Sequence, residues 1–568
     1  MTCQPTTVRC YGLAVHGHSW ALPAAVARTV AKSALWVLCL IGPCWPAEAP
    51  SIRFRDVAAS AGIPFVLENS PTPDKHMIET MAGGVAAFDF DGDGRTDIFF
   101  TNGAALPSLQ KDSPRYFNRL YRNEGGWKFR DVTESAGVAG AGYAMAAAAG
   151  DYNNDGHIDL FVAGYRHNIL YRNRGDGTFE DVTAKSGISS NEWAVAAGWF
   201  DFDNDGLLDL FVVNYADWSL DFNRFCGDSD RNIRVYCHPR YLTPIANRLY
   251  HNRGDGTFED VSVKSGIAAF KGRGMGLAFG DYDGDGKPDV FVTNDKLPNS
   301  LFHNLGNGKF EEVALEAGVA LPDHGKAVSS MGADFRDYDN DGLPDIATTA
   351  LHGETFPLFR NLGHGTFAEV TSATRLARTS TLHTGWSVGL IDFNNDGWKD
   401  FFSSNADVND LVAMFEPAVY KQANTVFENT RDGKFSESAV DFGLPQAHRG
   451  SAFADFDGDG KIDIVISSLG GPAELWRNES ANSNHWLILK LTGTRSNRDG
   501  IGAEVRIGSQ MNAMSSAVGY ASSSLFGVHF GLGALTVVPR VEIRWPSGQR
   551  QILENVQSDQ VLRVVEPR

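Results

Sequence analysis

Positive charge is what this chain is short of. Lysine and arginine number 50 against 69 aspartate and glutamate in 568 residues, a formal net charge of −19. Gripping a phosphodiester backbone takes clustered Lys and Arg, so nucleic acid is not an expected partner. Cysteine is scarce too, at 6, and Cys3, Cys10, Cys39 and Cys44 all stand near the start. No Cys-x-x-Cys pair, P-loop or zincin helix occurs, and no nucleophile elbow is expected. The apolar run within residues 33–49 is interrupted by Pro43 and Pro46 and is too short for a bilayer span. It follows Arg28 and Lys32 and ends in Ala47-Glu48-Ala49, the pattern of an export signal. Residues 1–49 are therefore expected to be an export signal, the alternative being a non-native N-terminal segment from an over-extended start. The remaining protein is expected to be secreted, periplasmic or on the cell surface, and not integral to a membrane. Only Cys226 and Cys237 would then remain, both in one long insertion. In an exported chain a disulfide is the expectation, the alternative being two free thiols.

Carboxylate loops are what the chain has in excess. The string Asp-x-Asp/Asn-x-Asp-Gly-x-x-Asp occurs seven times. Its ligand-type residues are Asp89, Asp91, Asp93 and Asp97; Asp151, Asn153, Asp155 and Asp159; Asp201, Asp203, Asp205 and Asp209; Asp281, Asp283, Asp285 and Asp289; Asp337, Asp339, Asp341 and Asp345; Asp392, Asn394, Asp396 and Asp400; and Asp455, Asp457, Asp459 and Asp463. Oxygens at positions 1, 3 and 5 converge on one ion only if the backbone turns tightly, which Gly at position 6 permits. A hard all-oxygen site suits Ca²⁺, so up to seven structural calcium ions are expected. The alternative is a set of Asp/Gly turns that hold no metal. An EF-hand is not expected, because short β-rich runs such as Leu210-Phe211-Val212-Val213 follow the loops in place of helices.

Two further elements recur. One is an apolar residue, an aromatic, any residue and Asn, as in Leu120-Tyr121-Arg122-Asn123. The other is Phe-x-Asp/Glu-Val, preceded by Gly/Asn-rich hairpin chemistry, as in Phe179-Glu180-Asp181-Val182. Each repeat thus supplies four short antiparallel strands, a propeller blade. The first Phe element, at Phe54, precedes the first Asp loop, and the last repeat, ending at Asn478, has none. The expected fold is all-β: a seven-bladed propeller over residues 52–478, in which the N-terminal strand closes blade 7 and removes an open sheet edge.

These repeats resemble the FG-GAP or VCBS repeats of the integrin α-subunit propeller and of many bacterial extracellular proteins. After Asn478 the strings Asn484-His485-Trp486-Leu487, Gly500-Ile501-Gly502-Ala503, His529-Phe530-Gly531-Leu532-Gly533 and Arg544-Trp545-Pro546-Ser547-Gly548 resemble the ASPIC/UnbV domain. Residues 484–566 are expected to form a small β-rich domain beside the propeller. Together the motifs resemble the cartilage acidic protein 1 family.

Strand order puts all Asp loops on one face and the long connections at 103–118, 214–247 and 405–424 on the other. Long connections in compact folds are commonly functional. That second face is expected to carry Lys75, His76, Lys271, Arg273, His324, Lys326, His383, His448 and Arg449, with Tyr143, Trp193 and Trp386, near the mouth of the central channel. They would form a cationic, aromatic cup, or merely polar loops facing solvent. The leading expectation is a calcium-bearing binding module for a protein or carbohydrate partner. The alternative is a sugar-directed lyase or dehydratase with His/Tyr acid–base chemistry in the cup. A purely architectural surface protein is the third.

Overall fold

The computed structural model describes residues 52–188, 191–222 and 224–568; the expected export signal lies outside them. Among the described residues no helix exceeds four residues, and strands carry the fold. Seven sheets, each with four antiparallel strands from the repeats, follow one another along the chain. Their first strands are Val85–Phe88, Tyr143–Gly150, Ala194–Phe200, Gly274–Gly280, Ala333–Arg336, Gly385–Ile391 and His448–Ala454, which define blades 1 to 7. Each first strand packs on the next, and that of blade 7 packs on that of blade 1, so the ring is complete. Blade 7 takes its outer strand from the far end of the chain. Phe54–Asp56 pairs antiparallel with Glu474–Asn478, Phe54 opposite Asn478. The phase of the Phe elements required this closure.

Small residues let the first strands crowd the axis. In blade 2 residues 146–150 read Ala-Ala-Ala-Ala-Gly, and all of Tyr143–Gly150 is buried. The Phe-x-Asp-Val element makes each outer strand and its exit. Asp131 Oδ1 accepts from Thr133 N at 2.9 Å, and Thr133 Oγ1 accepts from Leu120 N at 2.9 Å. The side chain thus closes a turn and satisfies a main-chain donor of the neighbouring strand, as side chains commonly do at such turns.

The C-terminal part was expected beside the propeller. It lies instead over the face that carries the Asp loops. One of its sheets orders Val528–Gly533, His485–Thr492 and Gln560–Val565, the last two parallel. The other orders Gln510–Ala513, Glu504–Ile507, Val537–Arg544 and Arg550–Gln557. Between these sheets the chain dips into the central channel and returns. This plug touches every blade. Ser523–Leu525 pairs parallel with Val85–Phe88 of blade 1. Ala521 O accepts from Ala147 N at 3.2 Å, and Ser516 Oγ donates to Trp199 O at 2.9 Å. Tyr520 bridges to Gly276, and Gly519 exchanges two backbone bonds with Ala333, of 2.8 and 3.0 Å. Tyr520 N donates to Ser387 Oγ at 3.2 Å, and Ser524 Oγ accepts from Phe453 N at 2.9 Å. At the tip, Tyr520 Oη donates to Met81 O at 2.7 Å, and its ring stands edge-on to Trp386 at 4.9 Å. Gly84 makes room for the plug: a Cβ there would lie 2.5 Å from Ala521 O.

Candidate functional site

Each Asp loop is a knot of backbone donors around two carboxylates. In loop 1, Asp89 accepts from Asp93 N at 3.1 Å and Gly94 N at 2.9 Å. Gly94 sits at φ 93°, a left-handed conformation that suits glycine. Asp97 Oδ2 accepts from Phe90 N at 3.0 Å, and its Oδ1 from Asn123 N at 2.7 Å. The donors aim position 1 and position 9 at one point. Carboxylate oxygens of Asp89, Asp91 and Asp97 lie within 4.8 Å of one another, as do those of Asp201, Asp203 and Asp205, and of Asp281, Asp283 and Asp285.

Such crowding is unfavourable for bare anions, most of all at the buried position 9 of each loop. Burial, reinforced by neighbouring carboxylates, pushes Asp97 up to about 8 and Asp201 up to about 8. Asp151 rises to about 7 for the same reasons, with Asp499 of the C-terminal domain as the like charge that raises it most. Four buried oxygens, Asp91 Oδ1, Asp159 Oδ2, Asp337 Oδ1 and Asp457 Oδ1, have no hydrogen-bond donor. Buried acceptors without donors and carboxylates held together against their repulsion are what an oxygen-ligated cation requires.

The second repeat element shapes these loops in a way its sequence did not disclose. The residue between the aromatic and the Asn had no assigned role. It is Arg in blades 1, 2, 5 and 7 and His in blades 3 and 4. Arg122 Nε lies 2.6 Å from Asp91 Oδ2, and Arg360 Nε lies 2.6 Å from Asp339 Oδ2. His251 Nδ1 is 3.2 Å from Asp209 Oδ1, and His303 Nδ1 is 3.1 Å from Asp289 Oδ1. The hydrogen bond to Asp209 holds His251 up at about 9. The basic side chain recurring at this one position was the available signal.

The C-terminal domain reaches all seven loops. Lys490 Nζ donates to Gly94 O at 3.2 Å, and Asp499 Oδ2 accepts from Asp151 N at 2.7 Å. Arg495 lies over Gly206 and Trp486 over Gly460. Arg544 pairs with Asp281, Arg506 Nη2 donates to Gly342 O at 3.0 Å, and Gly533 N donates to Asn395 O at 2.9 Å. The domain expected beside the propeller thus covers the loop face.

The opposite face carries a cavity of about 410 Å³ at the channel mouth. Blade-to-blade segments supply Met77, Met81 and Met331. The insertion of blade 3 supplies Tyr215 and residues 235–239, and blade 6 supplies Trp386 and residues 407–409. A disulfide joins Cys226 to Cys237, Cα–Cα 5.3 Å, and fixes the insertion over the cavity. Tyr236 Oη donates to Glu79 Oε2 at 3.0 Å, which ties the insertion to the segment before blade 1.

Of the expected cup residues only Trp386 lines this cavity. Tyr143 is buried with its hydroxyl on Asn69 O at 2.8 Å. Trp193 is buried in an aromatic cluster with Tyr215 and Trp218. Arg273 Nε donates to Leu242 O at 3.1 Å. Arg449 is fully buried, donates through Nε to Thr80 O at 2.7 Å and lies 3.9 Å from the Trp386 ring centre. The four histidines do not share a site. His448 is buried between Asn405 O at 3.0 Å and Glu474 Oε1 at 3.1 Å. His76 stands against Trp218, His324 is exposed, and His383 is 3.9 Å from Glu437. The face was legible, but among its residues only Trp386 was, because packing between and within the blades buries Tyr143, Trp193, Arg273, His448 and Arg449. One string also escaped notice: Gly385-Trp386-Ser387-Val388-Gly389 has the spacing of a hydrolase nucleophile elbow. It lies within a strand, and Ser387 is buried as an acceptor for the plug.

Comparison with known proteins fits this architecture. The model of FG-GAP-like repeats matches residues 89–162, 151–212, 228–292, 281–348, 337–403 and 408–466, more than half of the chain. The model named ASPIC and UnbV matches residues 493–568. Cartilage acidic protein 1 of Mus musculus is 26% identical over 501 residues, which is 85% of this chain and 64% of that protein. The Homo sapiens protein is 28% identical over 363 residues, 58% of this chain and 52% of that one. The chain thus spans about half to two thirds of the length of these relatives. A lectin of Agrocybe aegerita, described as recognising non-reducing terminal N-acetylglucosamine, overlays with a TM-score of 0.36 at 15% identity, over 69% of this chain and 87% of that one. Among the described residues no helix is long and apolar enough to cross a membrane. Seven repeats and the C-terminal motif agree in kind and order, and the chain belongs to the FG-GAP-like repeat family, carries a C-terminal ASPIC/UnbV domain and is homologous to cartilage acidic protein 1.

Proposed function

We propose that this protein is an extracellular, calcium-bearing interaction module that receives its partner at the channel mouth opposite the Asp loops. The observation that carries the reading is a division of labour between faces. The loop face repeats one motif seven times and lies under the C-terminal domain. The other face breaks the repeat with a disulfide-held insertion and holds the cavity. Side-chain oxygens at positions 1, 3, 5 and 9 of each loop would hold the ion, and the donor-free oxygens of Asp91, Asp159, Asp337 and Asp457 favour that role. Bound calcium would supply charge neutralisation and tie each hairpin, coupling folding to the ion. The disulfide and the relationship to cartilage acidic protein 1 support an extracellular setting.

The test screens the calcium-loaded protein against glycan and peptide arrays, beside a variant whose cavity is filled by Leu351→Trp. Binding by the parent and its loss in the filled variant, at unchanged melting temperature, is the expected result. Binding that survives filling overturns the placement of the site. Absence of any binder on either array overturns the interaction reading.

A further inference from the structure

The cavity holds a buried carboxyl group whose hydrogen-bonding capacity the fold does not use up; burial raises its pKa, and the Ser329 and Tyr215 hydroxyls oppose that rise. Asp295 follows the second strand of blade 4 and is 8% exposed. Its Oδ2 accepts from Tyr215 Oη at 2.7 Å. Neither its Oδ1 nor the Oγ of Ser329 has a partner of normal hydrogen-bond geometry, although the hydroxyl neighbours the carboxylate. Both residues line the cavity. The cations nearby are otherwise engaged. Arg273 donates to the main-chain oxygens of Leu242 at 3.1 Å and Asp295 at 3.4 Å, not to the carboxylate. Lys296 is the one Lys or Arg on the cavity wall, and its ammonium pairs with Glu354. Asp407 and Glu416 add further negative charge to the same wall.

The remaining wall is apolar and adaptable. Met77, Met81, Met275 and Met331 surround the floor, with Trp386 and Phe415 beside them. Methionine thioethers fit irregular apolar shapes and pack well against aromatic groups. A buried carboxylate with a free oxygen keeps its charge cheaply only when a cation meets it. A neutral sugar would satisfy the oxygen but would leave the methionine floor poorly matched.

We infer that the cavity takes a small organic amine, its ammonium on Asp295 and Ser329 and its apolar body against the methionines and Trp386. The inference rests on the reading of this cavity as the binding site and names the class of ligand it accepts. An amine recognised here has about the cavity's reach, an aryl or alkyl group on a short chain. Free amines and the lysine side chain of a peptide share this chemistry.

The test is calorimetric titration of the full calcium-loaded protein with phenethylamine and 4-phenylbutylamine. The neutral alcohols and the carboxylic acids of the same skeletons are titrated in parallel. Binding of the amines, with alcohol and acid at least about tenfold weaker, is expected. The Asp295→Asn variant should weaken the amines by about tenfold or more and leave the alcohols within about twofold. If that variant fails to fold, Leu351→Trp, which narrows the cavity from its wall, should abolish amine binding instead. An N-acetyl-lysine and lysine methyl ester pair separates the peptide source from the free amine, since only the ester carries both ammonium groups. Equal binding of alcohol and amine, or amine binding that survives Asp295→Asn, overturns the inference and leaves the cavity as a binding site. No binding by any of the probes overturns it as well, while the array experiment decides the cavity's role on its own.

Discussion

Asn173 Nδ2 donates to the main-chain oxygen of Phe90, 2.7 Å away and one blade upstream. Phe90 is the second residue of the blade 1 Asp loop, so the bond ties blade 2 to its neighbour's loop. The relation repeats around the ring. Asn252 reaches Tyr152 O, Asn304 reaches Phe202 O, Asn361 reaches Tyr282 O, Asn429 reaches Tyr338 O and Asn478 reaches Phe393 O. Asn123 closes the circle on Phe456 O, at 2.9 Å. Each Asn also donates to the residue before its own position 9, and its N–H meets the position 9 carboxylate, as Asn304 does with Pro288 O and Asp289. The Asn is a clasp between blades.

Removing a clasp should therefore cost more than its exposed surface suggests. Asn304→Ala leaves the oxygens of Phe202 and Pro288 without these donors, in a fully buried place. An unpaired buried acceptor costs about 1–3 kcal/mol, so a loss of about 2–4 kcal/mol is expected in chemical denaturation. Asn304→Asp, which keeps the shape and removes the donor, should lose a comparable amount. A loss below about 0.5 kcal/mol would show that the blades are held by packing alone.

The sequence disclosed the fold because one signal was repeated seven times, and its phase disclosed the closure of blade 7. Less came through for the site. His448 and Arg449 read as surface polar residues after a loop, yet they begin an inner strand that is buried on both faces along its whole length. Asp295 was passed over because a single Asp after a strand carries no pattern. The plug was the least legible: residues 514–526 have little periodicity, and their conformation is set by a channel that seven distant segments create together. Long-range context of that kind leaves no local trace.

Calcium should govern stability if the loops hold it. A ligand that binds only the folded state stabilises by about 2.7 kcal/mol per site at a hundredfold excess over its dissociation constant. Excess EDTA is thus expected to lower the melting temperature markedly, and added calcium to restore it. Asp463→Asn, at position 9 of blade 7, should reduce the calcium stoichiometry of the purified protein by one in elemental analysis. An unchanged melting temperature in EDTA would falsify the structural role of the metal.

The metal-free protein should respond to pH in the sense opposite to ordinary acid denaturation. Burial and neighbouring carboxylates raise Asp97 and Asp201 to about 8, Asp151 to about 7 and Asp455 to about 6. An unfolded Asp titrates near 3.9. Between these values the folded state binds more protons than the unfolded one, so stability falls as pH rises. In EDTA the melting temperature is expected to climb as pH is lowered from about 8 towards about 5.5. With calcium in excess the loops stay ionised and the trend should vanish or reverse, since protons then compete with the ion. Melting curves at four pH values with and without calcium decide it; a metal-free protein most stable at pH 8 would contradict the assignment.

The plug makes the C-terminal domain and the propeller depend on one another. All seven blades meet residues 516–525, and Tyr520 reaches through to Met81 O. A single calorimetric unfolding transition is therefore expected for the calcium-loaded protein despite its size. Gly84→Ala should damage this coupling specifically. Its new Cβ would stand 2.5 Å from Ala521 O and 2.6 Å from Ala146 Cα, so either the plug or blade 2 must move. Overpacking of this kind costs about 1–3 kcal/mol. Tyr520→Phe removes only the bond to Met81 O and should cost about 1 kcal/mol. Limited proteolysis adds a readout that global stability does not give. In Gly84→Ala the segment 514–526 should become cleavable before the blades do, while in Tyr520→Phe it should stay protected. Two separate transitions in the parent protein, or a plug equally protected in Gly84→Ala, would mean that the C-terminal domain rests on the propeller without being threaded into its stability.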